Sequence, residues 1–308
     1  MADVILQTKG LTKYYGSTLA VDHFDLSVRA GCVCGFVGRN GAGKTTVIKM
    51  LMGLLKPTAG SAGIFGCDCQ NLTPAIRERI GYVTEGHRLI KWMKIAEIEK
   101  FQGAFFPGRW DDKFFSEMIE YFDLSKKQKI KRLSNGQRAQ VSLALTLASH
   151  PELLIMDDPT LGLDAAIRRQ FLQGMIQLIM EQGRTVLFSS HILADVERVA
   201  DRLIVIDKGV IRADCTTEQF REMVRKVRFS FESTPPQQID IEGFLNCRRS
   251  ENELELTLVG TTQEQIADWS RKAGVRQYNI LPVGIEEQFI DYTAPHQQRR
   301  LFDWEMEK

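Results

Sequence analysis

The chain has 308 residues, of which 44% are apolar and 26% charged, with 40 Lys and Arg against 39 Asp and Glu. That length suits one large or two ordinary domains, and the composition excludes disordered, collagenous and coiled-coil chains. A formal charge of +1 gives no global attraction to nucleic acid or an anionic membrane, and no nucleic-acid partner is expected.

In chain order, Met1 to Gln7 has neither a basic region nor a long apolar one, so no signal peptide is expected. Residues 4–30 read as strand, turn, strand, with alternation around Val21, Phe24, Leu26 and Val28. Val33 to Val37 is a short apolar strand, followed by a Gly-rich turn and a helix from Thr45 to Leu54. Cys32 and Cys34 lie in a strand-like run that includes the start of this strand, pointing to one face. They and Cys67, Cys69, Cys215 and Cys247 lack the C-x-x-C spacing of zinc sites, so buried, reduced thiols of a cytosolic protein are expected. The stretch 95–148 is helix-rich, with Phe114, Phe115, Met118, Ile119 and Phe122 at helical spacing. The longest apolar run, Val141 to Ala148, falls far short of the roughly 18 residues that cross a bilayer.

Leu153 to Met156 is a buried-strand candidate ending at Asp157 and Asp158. A helix follows from about Ala165 to Gln182, with Ile167, Phe171, Met175 and Leu178 on one stripe, then a strand from Thr185 to Ser190. Leu203 to Arg212 reads as a hairpin turning at Gly209. Strands alternating with helices indicate an α/β fold with a largely parallel sheet. From about residue 227 the pattern changes to strand alternation at Val227–Phe231 and Leu254–Leu258, a helix over Gln263–Lys272, a strand over Tyr278–Leu281 and a helix over Gly284–Tyr292. This predicts a first domain over 1–226, with a helical subdomain at about 86–150, and a small C-terminal α+β domain over 227–308. Its last dozen residues are expected to be a loose tail.

Gly38-Arg39-Asn40-Gly41-Ala42-Gly43-Lys44-Thr45, followed by Thr46, matches G-x-x-x-x-G-K-[ST] between a strand and a helix. Its glycines let successive backbone N–H groups converge on phosphate oxygens. The helix N-terminus adds its dipole, Lys44 reaches the β and γ phosphates, and the Thr45 hydroxyl is a Mg²⁺ ligand. Asp157, closing a buried strand, supplies the distant acid that such a metal needs.

With these residues placed, the chain resembles the nucleotide-binding subunits of ATP-binding-cassette (ABC) transporters over roughly residues 5–225. Leu133-Ser134-Asn135-Gly136-Gln137 is similar to that family's signature sequence, which other phosphate-loop ATPases lack. Tyr15-Gly16 is similar to the loop whose ring stacks on adenine, with Tyr14 as the neighbouring competitor. Pro159 to Asp164 is similar to the D-loop, and Ser189-Ser190-His191 to the segment carrying the switch histidine. The resemblance implies a P-loop ABC cassette with a RecA-like parallel core, an antiparallel β subdomain and a helical subdomain. It implies ATP and Mg²⁺ as cofactors and Ser134 and Gly136 acting on ATP held by another subunit. His191 would bond the γ-phosphate. His23, His87, His150 and His296 have no such context and read as surface or structural.

Three positions depart from the family pattern. Glu85 stands where the Q-loop glutamine is usual, as a catalytic-site residue that would bind Mg²⁺ more strongly than a neutral amide, or repel the triphosphate if metal is absent. Asn135 replaces a glycine of the signature. Asp158 replaces the catalytic glutamate and ends one methylene short, implying slow hydrolysis. The final Gly284 to Tyr292 segment is similar to the C-terminal element of drug- and antibiotic-exporter ATPases. The resemblance therefore implies an exporter ATPase on the cytoplasmic face of the membrane, bound to an integral permease on a separate chain. It would pair head to tail with a copy of itself or a homologue. Apolar side chains between Gly86 and Phe106 (Leu89, Ile90, Trp92, Met93, Phe101, Phe105, Phe106) would contact that permease or form the helical subdomain's own core. The alternatives are a regulatory, non-transport ABC protein, or a degenerate half-site subunit paired with an active homologue.

Overall fold

The structure, a computed structural model, describes residues 3–180 and 183–293, except for the side chains of 176–180. The expected tail, the expected helix end at Gln182 and the Leu178 side chain lie outside the described residues. The chain divides into two compact units, Met1–Thr216 and Thr217–Lys308.

The first unit contains, in order, β1 (Val4–Tyr15), β2 (Thr18–Arg29), β3 (Val33–Val37), α1 (Lys44–Leu51), β4 (Ala59–Ile64), β5 (Cys67–Asp68), α2 (Pro74–Arg77), β6 (Ile80–Val83) and α3 (Ile95–Gly103). It continues with α4 (Asp112–Tyr121), α5 (Asn135–Leu147), β7 (Leu153–Met156), α6 (Ala165–Met180), β8 (Thr185–Ser190), α7 (Leu193–Glu197), β9 (Arg202–Asp207) and β10 (Val210–Thr216). Two sheets result. One has the order β2-β1-β4-β5 and is antiparallel throughout. The other, β10-β9-β3-β8-β7-β6, is parallel except for β10, which returns beside β9 through the Lys208-Gly209 turn.

Burial explains the division. Strands β3, β7 and β8 are buried at every residue, as their unbroken apolar runs require of strands covered on both faces. Strands β1 and β2 alternate and bury Leu6, Leu11, Val21 and Phe24 on one side only. Strand β4 escaped the sequence reading because Ala59-Gly60-Ser61-Ala62-Gly63 carries no apolar alternation, and β5 and β6 because they are only two and four residues long. Strands β3, β8, β7 and β6 are neighbours and run parallel. Their C-terminal ends therefore deliver the glycine loop, His191, Asp157 with Asp158, and Glu85 to one edge of the sheet. In the helical region Phe115, Met118 and Ile119 of α4 are buried. The Gly86–Phe106 apolar set divides: Leu89, Ile90, Met93 and Phe106 are half-buried, whereas Trp92, Phe101 and Phe105 are exposed.

The second unit contains α8 (Thr217–Met223), β11 (Val224–Ser230), β12 (Phe244–Arg249), β13 (Glu253–Val259), α9 (Gln263–Lys272), β14 (Gln277–Leu281) and α10 (Ile285–Tyr292). Its sheet has the order β12-β13-β11-β14 and every pairing is antiparallel. Period-two alternation places Val227, Phe229, Leu254, Leu256 and Leu258 in a core with Ile266 and Trp269 of α9. The Phe229 and Trp269 rings meet edge to face, 4.9 Å between centroids. The buried Lys226 ammonium bonds Glu287 at 2.6 Å and Asp291 at 2.9 Å on α10, which satisfies a charge that burial would otherwise penalise. Among the described residues no helix is long and apolar enough to cross a membrane.

Candidate active site

The glycine loop turns sharply between β3 and α1. Gly43, at φ +110°, is the N-cap of α1 and offers no side chain to its N–H groups. Close approach makes two of the glycines obligatory. A Cβ on Gly43 would lie 2.7 Å from the Ala20 carbonyl oxygen, and one on Gly38 2.5 Å from that of Ile206. The Lys44 ammonium donates to the carbonyl oxygens of Gly38 at 2.6 Å and Arg39 at 3.3 Å, so its charge sits within the loop. Burial pushes the Lys44 pKa down, opposed by the carboxylates of Asp158, Asp157 and Glu85.

Asp157 is buried at the end of β7, its N–H donating to Val83 O at 2.9 Å. The hydroxyls of Thr45 and Ser189 both donate to its Oδ1, at 3.1 and 3.0 Å. Burial pushes its carboxyl upward, and the two hydroxyls oppose the shift. Ser189 was legible only as part of the segment before His191, yet its Oγ also accepts the Asp158 N–H at 2.9 Å. One serine thereby orients both acids. Asp158 takes a left-handed backbone, φ +46°, at a cost of about 1–3 kcal/mol for a non-glycine residue. Its Oδ2 lies 2.7 Å from His191 Nδ1, and its Oδ1 is buried with no hydrogen-bond partner among the described residues.

These groups border a cleft of about 310 Å³ lined by Ala20, residues 40–46, Glu85, Asp157 and Asp158. Thr45 Oγ1 and Asp157 Oδ1 are adjacent hard oxygen donors of the kind that Mg²⁺ takes, and the loop's glycines leave room for a polyphosphate. The residues present therefore fit ATP with Mg²⁺.

Other expected site residues stand apart from this lining. Tyr14 and Tyr15 are exposed at the end of β1, with the Lys13 ammonium 5.5 Å from the Tyr15 ring centre. Ser134 caps α5, accepting from Gln137 N at 3.2 Å while Gln137 Oε1 accepts from Ser134 N at 3.0 Å. Gly136 packs on α6, where a Cβ would meet Ile167 Cγ2 at 2.7 Å. Asn135 accepts a hydrogen bond from Arg138. The Pro159–Asp164 segment is tied down by Thr160, which donates to the buried Asp195 at 3.0 Å, and by Asp164, which caps α6.

The ABC transporter family model matches residues 21–161. A bacitracin transport ATP-binding protein of Bacillus licheniformis is 34% identical over 224 residues, covering 72% of this chain and 73% of its own length. The chain belongs to the ATP-binding subunits of ABC transporters. A daunorubicin/doxorubicin resistance ATP-binding protein of Streptomyces peucetius is 34% identical over 222 residues, 70% of this chain and 66% of that one. An uncharacterised ABC transporter ATP-binding protein of Bacillus subtilis (strain 168) aligns over 97% of this chain and 98% of its own, at 29% identity. A solved ATP-binding subunit of an ABC transporter superposes with a TM-score of 0.63 at 25% identity, covering 71% of this chain and 92% of its own. As an ABC ATPase the chain binds ATP.

Proposed function

We propose that this ABC ATPase drives an exporter whose membrane-spanning part is a separate permease, and that Asp158 and His191 together handle the attacking water. The carrying observation is the 2.7 Å contact between Asp158 Oδ2 and His191 Nδ1 at the phosphate cleft. That bond fixes the imidazole's orientation and leaves Nε2 available to the γ-phosphate, while the Asp158 carboxylate supplies the charge that would polarise water. Lys44 and the loop N–H groups hold the β and γ phosphates, and the exposed Tyr15 ring is a stacking surface for adenine. Thr45, Asp157 and Glu85 would hold Mg²⁺, which when bound neutralises charge on the phosphate oxygens. Ser134 and Gly136 complete the site of a second cassette in a head-to-tail pair, offering a helix N-terminus to its γ-phosphate. Because the Asp158 carboxylate stops one methylene short of a glutamate, hydrolysis is slow by about 10²-fold relative to a glutamate cassette.

Export is supported by the relatives named for bacitracin transport and for daunorubicin/doxorubicin resistance. Exposed Trp92, Phe101 and Phe105 offer an apolar surface to the permease, which would place the chain peripherally on the cytoplasmic face. A second reading, a half-site subunit paired with a more active homologue, is favoured by Asp158 and Asn135 at positions of the reaction centre. Purification of the tagged full chain from its native membranes in mild detergent tests both. The expected result is a complex with a multi-span membrane protein, and a Trp92→Ser variant recovers several-fold less of it. A second, non-identical ATPase chain in the complex would replace the symmetric reading by the paired one. Recovery as a free monomer or in a wholly soluble complex would overturn export.

A further inference from the structure

We propose that His87 is a positioning residue for hydrolysis, tying the loop that presents Glu85 to the segment that presents Asp158. The proposal rests on Asp158 as a water-handling residue. His87 is 3% exposed, and its Nε2 lies 2.9 Å from the Pro159 carbonyl oxygen, across 72 positions of sequence. A carbonyl only accepts, so the proton is on Nε2 and Nδ1 carries a lone pair. That Nδ1 is buried and has no hydrogen-bond partner among the described residues. An apolar side chain of similar size would fill the space without burying an orphan nitrogen, so packing alone does not account for a histidine here. Burial pushes the imidazole below its ordinary pKa and the Arg138 charge adds to this, with the Pro159 bond opposing.

The location says what the bond controls. His87 N donates to Thr84 O at 3.2 Å and Leu89 N to His87 O at 2.9 Å, closing the turn that holds Glu85 at the cleft. On the other side Pro159 directly follows Asp158, whose N–H is held by Ser189 Oγ at 2.9 Å. The Asp158 backbone is therefore anchored ahead by Ser189 and behind by His87, and both His87 and Asp158 sit in the left-handed region at φ +46°. Without the rear anchor, Asp158 keeps behind it only the Leu161 N–H to its carbonyl, at 3.1 Å, against relaxation from a disfavoured conformation, and its carboxylate loses aim. The His87–Pro159 bond links the loop carrying Glu85, after β6, to the segment carrying Asp158, after β7, beyond the end of the β6–β7 pairing.

The test compares His87→Leu, His87→Gln and Asp158→Asn in the full chain, measuring Mg²⁺-ATP turnover, KM and melting temperature. Leu removes the donor, whereas the Gln amide nitrogen reaches the Nε2 position. The expected result is a fall in kcat of about 10-fold for His87→Leu with KM changed less than about twofold, and recovery to within about threefold in His87→Gln. The Leu variant exchanges one orphan polar atom, Nδ1, for another, Pro159 O, so its melting temperature stays near the parent's. Should it fail to fold, His87→Phe removes the donor on a ring of similar size. Unchanged turnover in the donor-less variants, equal impairment of Leu and Gln, or a loss of kcat that only follows a loss of melting temperature would overturn the proposal. The Asp158→Asn arm separates the two readings: full turnover there removes the premise, whereas an inactive Asp158→Asn beside a fully active His87→Leu removes this inference alone.

Discussion

Replacing Asp158 by Asn lowers ATP turnover of the full chain by at least about 10²-fold while ATP affinity stays within about threefold. The substitution keeps the shape that meets His191 but removes the charge that polarises water. The phosphate-holding groups Lys44, Thr45 and Asp157 are untouched, so nucleotide stays bound and the ATP-held state accumulates. The reverse change is equally informative. Asp158→Glu restores the missing methylene and raises turnover, by up to about 10²-fold if reach is the whole deficit. Steady-state phosphate release measured beside equilibrium ATP binding checks both variants. Turnover in Asp158→Glu that is unchanged or lower than the parent's would show that the left-handed backbone at Asp158 already compensates for the shorter side chain.

Lys44→Ala has the other large effect. The ammonium is buried against three acids, and it is held inside the loop by the Gly38 and Arg39 carbonyls rather than swinging in solvent. Removing it leaves Asp157, Asp158 and Glu85 facing a triphosphate with one less positive charge. Turnover falls by about 10³-fold and ATP binding weakens as well, unlike in Asp158→Asn. Lys44→Arg does not restore it: a planar guanidinium cannot place one donor where Nζ sits, 2.6 Å from Gly38 O, without displacing the loop. Equilibrium dialysis with labelled ATP, beside turnover, distinguishes the two losses.

Much of the cassette was legible because its chemistry is written in consecutive residues. The glycine loop sits between an apolar strand and a helix, Asp157 closes an apolar run, and Ser134 starts a helix with Gln137 three positions on. Each is a local pattern with a local physical cause. The parallel edge that gathers these ends follows from the alternation of strands with helices. What stayed hidden depends on contacts between distant positions. His87 offers no motif, and only the fold brings it against Pro159. Ser189 sits two residues from a recognisable histidine, but its double use, donating to Asp157 and accepting from Asp158, needs two strands in register. Strands β4 and β5 are held by pairing with β1 and with each other, through small residues that show no pattern of their own. Strand β12 is similarly quiet in sequence, since Phe244 to Arg249 lacks alternation, and it exists as the edge partner of β13.

The separation of Ser134 and Gly136 from the chain's own cleft has a genetic consequence. In a head-to-tail pair, an allele broken at Ser134 disables the site on its companion, and an allele broken at Lys44 disables its own. Two such alleles expressed together can assemble pairs in which both lesions fall on one site and the other remains whole. Two recessive-looking defects in one gene would then complement each other, while two lesions at Lys44 would not.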